Sequence, residues 1–250
     1  MTAKKIIPCL DFKDGKVVKG IKFQGMIDIG HPPELALEYE RQGADEVALL
    51  DISATLEGRK TMLRIVSETS EKLSVPFAVG GGIRSRQEMG EVLKAGADKV
   101  SINSAAVADP SIISECANEF GGQCVIVAID AKKYGDKWEV ITHGGTRSAK
   151  IDAVEWARKA EDLGAGEILL TSVDADGVKE GYDIPLTAAV ADAVSIPVTA
   201  SGGCGSVEHI YQVLTQTGAA AALAASIFHY KEYTVGQVKE YLKDRGVSVR

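Results

Sequence analysis

The 250-residue sequence predicts an α/β fold, a closed (β/α)8 TIM barrel built from two similar half-barrels, and three observations carry that prediction. Short apolar runs alternate with amphipathic helical stretches along the chain, the pattern of a parallel sheet covered by helices. Eight such units in about 250 residues match the usual size of a closed barrel. One strand-loop-helix programme is also written twice. Val75–Val107, VPFAVGGGIRSRQEMGEVLKAGADKVSINSAAV, is echoed by Ile196–Phe228, IPVTASGGCGSVEHIYQVLTQTGAAAALAASIF. Pro76 and Pro197 lie 121 residues apart, Gly96 and Gly218 lie 122 apart, and Gly43-Ala44-Asp45-Glu46 is answered 121 residues on by Gly164-Ala165-Gly166-Glu167. Asp11 and Asp130, each closing an apolar run, are 119 apart. The repeat spans the chain without a Pro/Ser-rich linker, so a single domain over 1–250 is expected, with half-barrels near 1–122 and 123–250.

In chain order, strands are expected near 5–11, 46–51, 76–80, 98–103, 124–130, 167–171, 197–201 and 219–224. Helices are expected between them, near 33–42, 60–73, 86–95, 109–119, 152–163, 184–194, 206–216 and 234–245. Two connections are too long for plain turns. Phe12 to Gly30 carries four glycines around KVVKGIKF and suits a small mobile hairpin; Lys132 to Lys150 holds a strand-like Trp138–Thr142 after a Tyr-Gly-Asp turn. Both follow strands ending in aspartate, so both should overhang the C-terminal mouth, where barrel active sites lie.

Side chains alternate along a strand, so even spacings share a face. If Asp11 points inward, so do Cys9, Ile7 and Lys5; Asp130 brings Ala128 and Ile126; Asn103 brings Ser101 and Lys99; Thr171 brings Leu169 and Glu167; Ser201 brings Thr199; Ala224 brings Ala222 and Ala220. Strand two adds Leu50, Ala48 and Glu46, and strand three adds Gly80 and Ala78. The top is then a polar chamber with two carboxylates, Asn103, Thr171 and Ser201. The middle is small, with Ala48, Ala78, Ser101, Ala128 and Ala222 where larger residues usually fill a barrel. The bottom carries Lys5, Glu46, Lys99 and Glu167. Spacing alone leaves two readings of that ring: salt bridges that close the base, or a gate onto a loosely packed axis.

Gly80-Gly81-Gly82 with Asn103-Ser104, and Gly202-Gly203 with Ala224-Ala225-Ser226, occupy matching places in the two halves. Glycine turns let backbone N–H groups approach an anion, although glycines also serve simply as tight turns. Paired by the repeat, they predict a long ligand with a phosphate at each end. Asp11 and Asp130 would lie between those ends, as suits general acid/base work in which one group donates a proton and the other removes one. No nucleophilic triad or strand-end Schiff-base lysine stands out. Lys19, in the first long connection, could cover an anionic substrate or be an ordinary surface lysine.

A net charge of -7 and a pI near 5.2 argue against nucleic acid or an anionic membrane as partner. No stretch approaches the roughly 18 apolar residues of a membrane span, and MTAKKIIPCLDFKDG lacks a signal-peptide core. The four cysteines form no CxxC pair and read as reduced thiols of a cytoplasmic protein; the four histidines lack metal-ligand spacing, so no metal is expected.

AKKIIPCLDFKDGKVVKG, GADEVALLDISAT, VPFAVGGGIRS, GADKVSINSAAV, VAIDAK, GAGEILLTSVDADGVKEGYD, ASGG and AALAASIFH together resemble the family of cyclase subunits of imidazole glycerol phosphate synthase, from histidine biosynthesis. The resemblance implies a lyase/cyclase without a cofactor, paired as a heterodimer with a glutaminase at the bottom of the barrel. Ammonia would cross the axis and meet a ribulosyl aminoimidazole carboxamide nucleotide bearing two phosphates. The products would be imidazole glycerol phosphate and an aminoimidazole carboxamide ribotide. By motif, Asp11 and Asp130 match the acid/base pair and Lys19 the lysine of the first loop. Gly82, Asn103, Gly177, Gly203, Ala224 and Ala225 match phosphate-contacting positions, Thr171 and Ser201 chamber residues, and Lys5, Glu46, Lys99 and Glu167 the ammonia gate. The chain departs from the family pattern at Lys5, usually arginine, at Thr146–Lys150, and at His31, commonly aspartate. Two rivals remain: the sister isomerase of the pathway, which needs no ammonia, and a non-catalytic subunit that activates a glutaminase.

Overall fold

The computed structural model describes the chain except residues 1, 2, 14, 22, 23 and 53–55; the side chains of 19–21, 24–28 and 56–59 are also left undescribed. Eight parallel strands close on themselves. In order round the barrel they are β1 (Lys5–Lys13), β4 (Val47–Asp51), β5 (Phe77–Gly80), β6 (Lys99–Ile102), β7 (Val125–Tyr134), β10 (Glu167–Ser172), β11 (Val198–Ser201) and β12 (Ala221–Ala224). β12 pairs back onto β1 through Lys5–Ala221 and Ile7–Leu223, which closes the ring.

Long helices cover the outside: α1 (Pro32–Arg41), α2 (Leu56–Ser70), α3 (Arg86–Lys94), α5 (Ser111–Phe120), α6 (Ala153–Asp162), α7 (Ile184–Ala191), α8 (Val207–Gln216) and α10 (Val235–Asp244). Their starts are written in the sequence. Ser85 accepts from Glu88 N and, 121 residues on, Ser206 accepts from His209 N; Asp152 and Asp183 cap α6 and α7; Thr234 and Gln237 form a capping box. Apolar faces of these helices pack on the outward residues of the strands, among them Ile6, Leu10, Phe12, Val79, Ile102, Val127, Ile168 and Leu170. Full burial of one such side chain stabilises the fold by roughly 1.5–3 kcal/mol.

The two-fold echo is structural as well as textual. β1 and β7 both run past their aspartates into antiparallel excursions, β2 (Lys16–Ile21) with β3 (Gln24–Gly30), and β8 (Lys137–Thr142) with β9 (Arg147–Asp152). Glu40 accepts from Ser74 N just as Glu161 accepts from Ser195 N, each pair 34 residues apart. Two short helices follow β6 and β12, α4 (Ser104–Ala108) and α9 (Ser226–His229); neither they nor β9 were legible in the periodicity.

The barrel interior departs from expectation at β12. Ala222 and Ala224 belong to the outer core, while Ala221, Leu223 and Ala225 face the axis. The reason is the alanine run 219–222, which has no apolar/polar alternation; pairing with β1 decides the face, because Leu223 must lie beside inward Ile7. The axis is also better filled than a stack of alanines implies. Ile7, Leu50, Ile126, Leu169 and Leu223 interleave with Ala48, Ala78 and Ala128.

Candidate active site

β1 and β7 are four strands apart in the ring of eight, so Asp11 and Asp130 approach the mouth from opposite sides. Below Asp11 on the same inward face, the Cys9 thiol lies 3.8 Å from Asp11 Oδ1. Asp130 stands level with Thr171, and Thr171 with Ser201, through the ladders β7–β10 and β10–β11. Asn103 donates its side-chain N–H to Asp130 Oδ2 at 2.9 Å. Burial and then the facing carboxylate of Asp176 push the Asp130 pKa up to about 6, against the pull of the Asn103 hydrogen bond. A carboxyl group in that range can hold or release a proton near neutrality.

Asp176 was missed by the sequence reading. It lies in the turn after β10, one residue before exposed Gly177, whose φ is 76°. A carboxylate in the first turn beyond a barrel strand was the available signal.

The two glycine turns take matching shapes. Gly81 and Gly82 have φ of 102° and 62°, and Gly202 and Gly203 have φ of 88° and 95°. A side chain on Gly81 would run into the carbonyl oxygen of Asp51, and one on Gly202 into that of Ser172, the residue 121 further on. The turns are therefore glycine because backbone crosses backbone there. Asn103 and Ala225, 122 apart, both have backbone angles outside the usual regions, with φ/ψ of -127°/-90° and -125°/-66°. Neither caps its short helix through a side chain. β5 with β6, and β11 with β12, stand on opposite sides of the ring, so the two turns face each other across the mouth. Ala224 is buried and faces outward, leaving only its backbone for any ligand. The Lys19 side chain lies outside the described residues.

The second excursion is pinned over the mouth. Lys133 N donates to Asp174 at 2.8 Å, Trp138 Nε1 donates to Asp183 at 3.3 Å, and His143 N donates to Ser104 Oγ at 3.0 Å.

At the opposite end, the four inward charges meet. Lys5 Nζ is 2.9 Å from Glu46, and Lys99 Nζ is 2.8 Å from both Glu46 and Glu167, while Lys5 and Glu167 are 3.9 Å apart. Glu167 also accepts from Thr199 Oγ1 at 2.7 Å. Burial alone would raise the Glu167 pKa, but the two lysines together with the bonds from Lys99 and Thr199 hold it below the usual carboxylate range. Balanced signs keep the ring from leaving an unpaired inward charge.

A family model described as "Histidine biosynthesis protein" matches residues 5–234, and the chain belongs to that family.

Proposed function

We propose that this member of the family is the cyclase subunit of imidazole glycerol phosphate synthase. The observation that carries the reading is the ring of Lys5, Glu46, Lys99 and Glu167 around the axis, at the far end from the carboxylate chamber. A chamber alone serves an isomerase equally well; a polar port beneath it serves a reaction that consumes a small molecule delivered from below.

In this reading the two glycine turns hold the terminal phosphates of the substrate by backbone N–H groups, with Asn103 and Ala225 at their second edges. Gly177 adds a further phosphate contact, Lys19 covers the anionic ligand, and Thr171 and Ser201 line the chamber. Asp130, with its pKa near 6, donates and recovers a proton on one side of the substrate, and Asp11 does so on the other. Ammonia enters through the ring from a glutaminase subunit docked at the base and condenses with the ribulosyl carbonyl to an imine with loss of one water. Cleavage and ring closure then form the imidazole and release the aminoimidazole carboxamide ribotide as leaving group.

The paired assay tests this reading. Ammonium salt should suffice to convert the ribulosyl nucleotide to imidazole glycerol phosphate. Conversion of the ribosyl precursor to the ribulosyl form, with no use of ammonium, would instead make the chain the isomerase. Glutamine should replace ammonium only when the glutaminase is added, and light scattering should detect the heterodimer.

A further inference from the structure

We propose that Thr199 is a positioning residue of the basal ring, which keeps one side of that ring loose so that Lys5 is the member that swings aside. The inference rests on reading the ring as the ammonia port.

The argument starts from strand order. Lys5, Glu46, Lys99 and Glu167 stand on or beside β1, β4, β6 and β10, and three short contacts join them in that order. The circuit should close between Glu167 and Lys5, across β11 and β12. There the gap is 3.9 Å, and β12 offers only Ala221 to the interior at this level. The seam is filled from β11 by Thr199, which is 1% exposed and donates to Glu167 Oε1 at 2.7 Å. Lys99, meanwhile, bonds Glu167 through Oε2. Both carboxylate oxygens are thus taken, one by a neutral hydroxyl that cannot be displaced by simple rotation of a long side chain.

The consequence falls on Lys5. Among the described residues its one short partner is Glu46, whereas Lys99 holds two carboxylates at once. A lysine with one short ion pair and four rotatable bonds moves more readily than one clamped between two anions. If Oε1 of Glu167 lost the hydroxyl, it would be a buried acceptor without that donor, and Lys5, whose Nζ lies 3.9 Å from Oε2 of the same carboxylate, is the cation across the seam. Lys5 would then be drawn across the seam and held at both ends, closing the port.

Thr199→Val, which keeps the shape and removes the donor, tests this, with Thr199→Ser restoring the hydroxyl. Three rates are measured on wild type and variants in complex with the glutaminase: product from ammonium salt, product from glutamine, and glutamate released. For Thr199→Val, ammonium-driven turnover should stay within about 2-fold of wild type, while glutamine-driven product falls by about 3- to 30-fold with glutamate release continuing. Thr199→Ser should recover the coupling. Equal loss of both turnovers, or no change in their ratio, would overturn the positioning role, as would failure of Thr199→Ser to restore what Thr199→Val lost. Should Thr199→Val not fold, Thr199→Ala, which removes the same donor to Glu167, carries the test: the same ratio should fall, and an unchanged ratio in Thr199→Ala would overturn the proposal. A wild type that makes no product from ammonium would instead refute the cyclase reading, so the two failures are distinct.

Discussion

The Asn103 side-chain nitrogen donates to Asp130 Oδ2 at 2.9 Å, tying the turn after β6 to the carboxylate of β7. One residue of the proposed phosphate cradle thereby sets the direction of the proposed acid, and the pKa of that acid is a measurable property of the pair.

Raised from 3.8 to about 6, Asp130 is a group that the fold prefers neutral. Its contribution to stability is whole below the unfolded pKa of 3.8 and is lost as pH rises through 6. Asp130→Asn, neutral at every pH and still able to accept from Asn103, should therefore be the more stable protein at pH 8, by on the order of 1–3 kcal/mol. The advantage should shrink to nothing near pH 4. Thermal unfolding of both proteins across this range checks it; a pH-independent difference would count against the raised pKa.

The same substitution should damage catalysis while it helps the fold. Asp130→Asn and Asp11→Asn should each lower ammonium-driven turnover by roughly 10²–10⁴-fold. Unchanged turnover would remove the residue concerned from the mechanism.

The ring makes a separate prediction. Lys99→Met leaves Glu46 and Glu167 sharing Lys5, and breaking a buried pair in this way costs roughly 3–5 kcal/mol at neutral pH. Glu167, held below its ordinary 4.5, gives stability that is present above 4.5 and lost as pH falls through its lowered value. Lys99, held above 10.5, gives stability lost only as pH rises beyond that. The deficit of Lys99→Met should therefore narrow toward pH 3, as the carboxylates protonate. Denaturant midpoints at pH 7 and 3 measure it.

Two glycines with almost the same φ should respond differently to alanine. Gly43 and Gly203 have φ of 93° and 95°. A Cβ on Gly43 meets nothing within 4 Å, so Gly43→Ala should cost only the backbone penalty of about 1–2 kcal/mol. A Cβ on Gly203 would lie 2.0 Å from the carbonyl oxygen of Gly181, so Gly203→Ala must displace backbone at the mouth. It should lower the melting temperature more than Gly43→Ala and also raise the KM for a phosphorylated ligand. Equal effects on stability would show that the crossing is not tight.

Much of this was legible in the sequence because the signals are local. Serine and aspartate caps, proline-led strands and glycine turns each act within four residues, so helices such as 86–94 and 207–216 were placed almost to the residue. The inward ring was legible too, because strict alternation carries Lys5, Lys99 and Glu167 to one side of their strands. Helices of four or five residues leave no period to read, and the alanine run of β12 carries no sign of which side is inside. Asp176 was missed because nothing in its own segment shows that it faces a strand 46 residues earlier.

By itself, then, the sequence determined a twice-run strand-loop-helix programme, its parallel closed sheet, and the aspartates and glycines at the strand ends. Each of these follows from covalent geometry and short-range capping. Tertiary structure decided the rest: which alanines of β12 face the axis, that the carboxylate of Asp176 presses on Asp130, and that Thr199 fills the seam between Glu167 and Lys5. Those outcomes depend on the lateral register and shear of neighbouring strands, a relation between residues tens to hundreds of positions apart that no local pattern encodes.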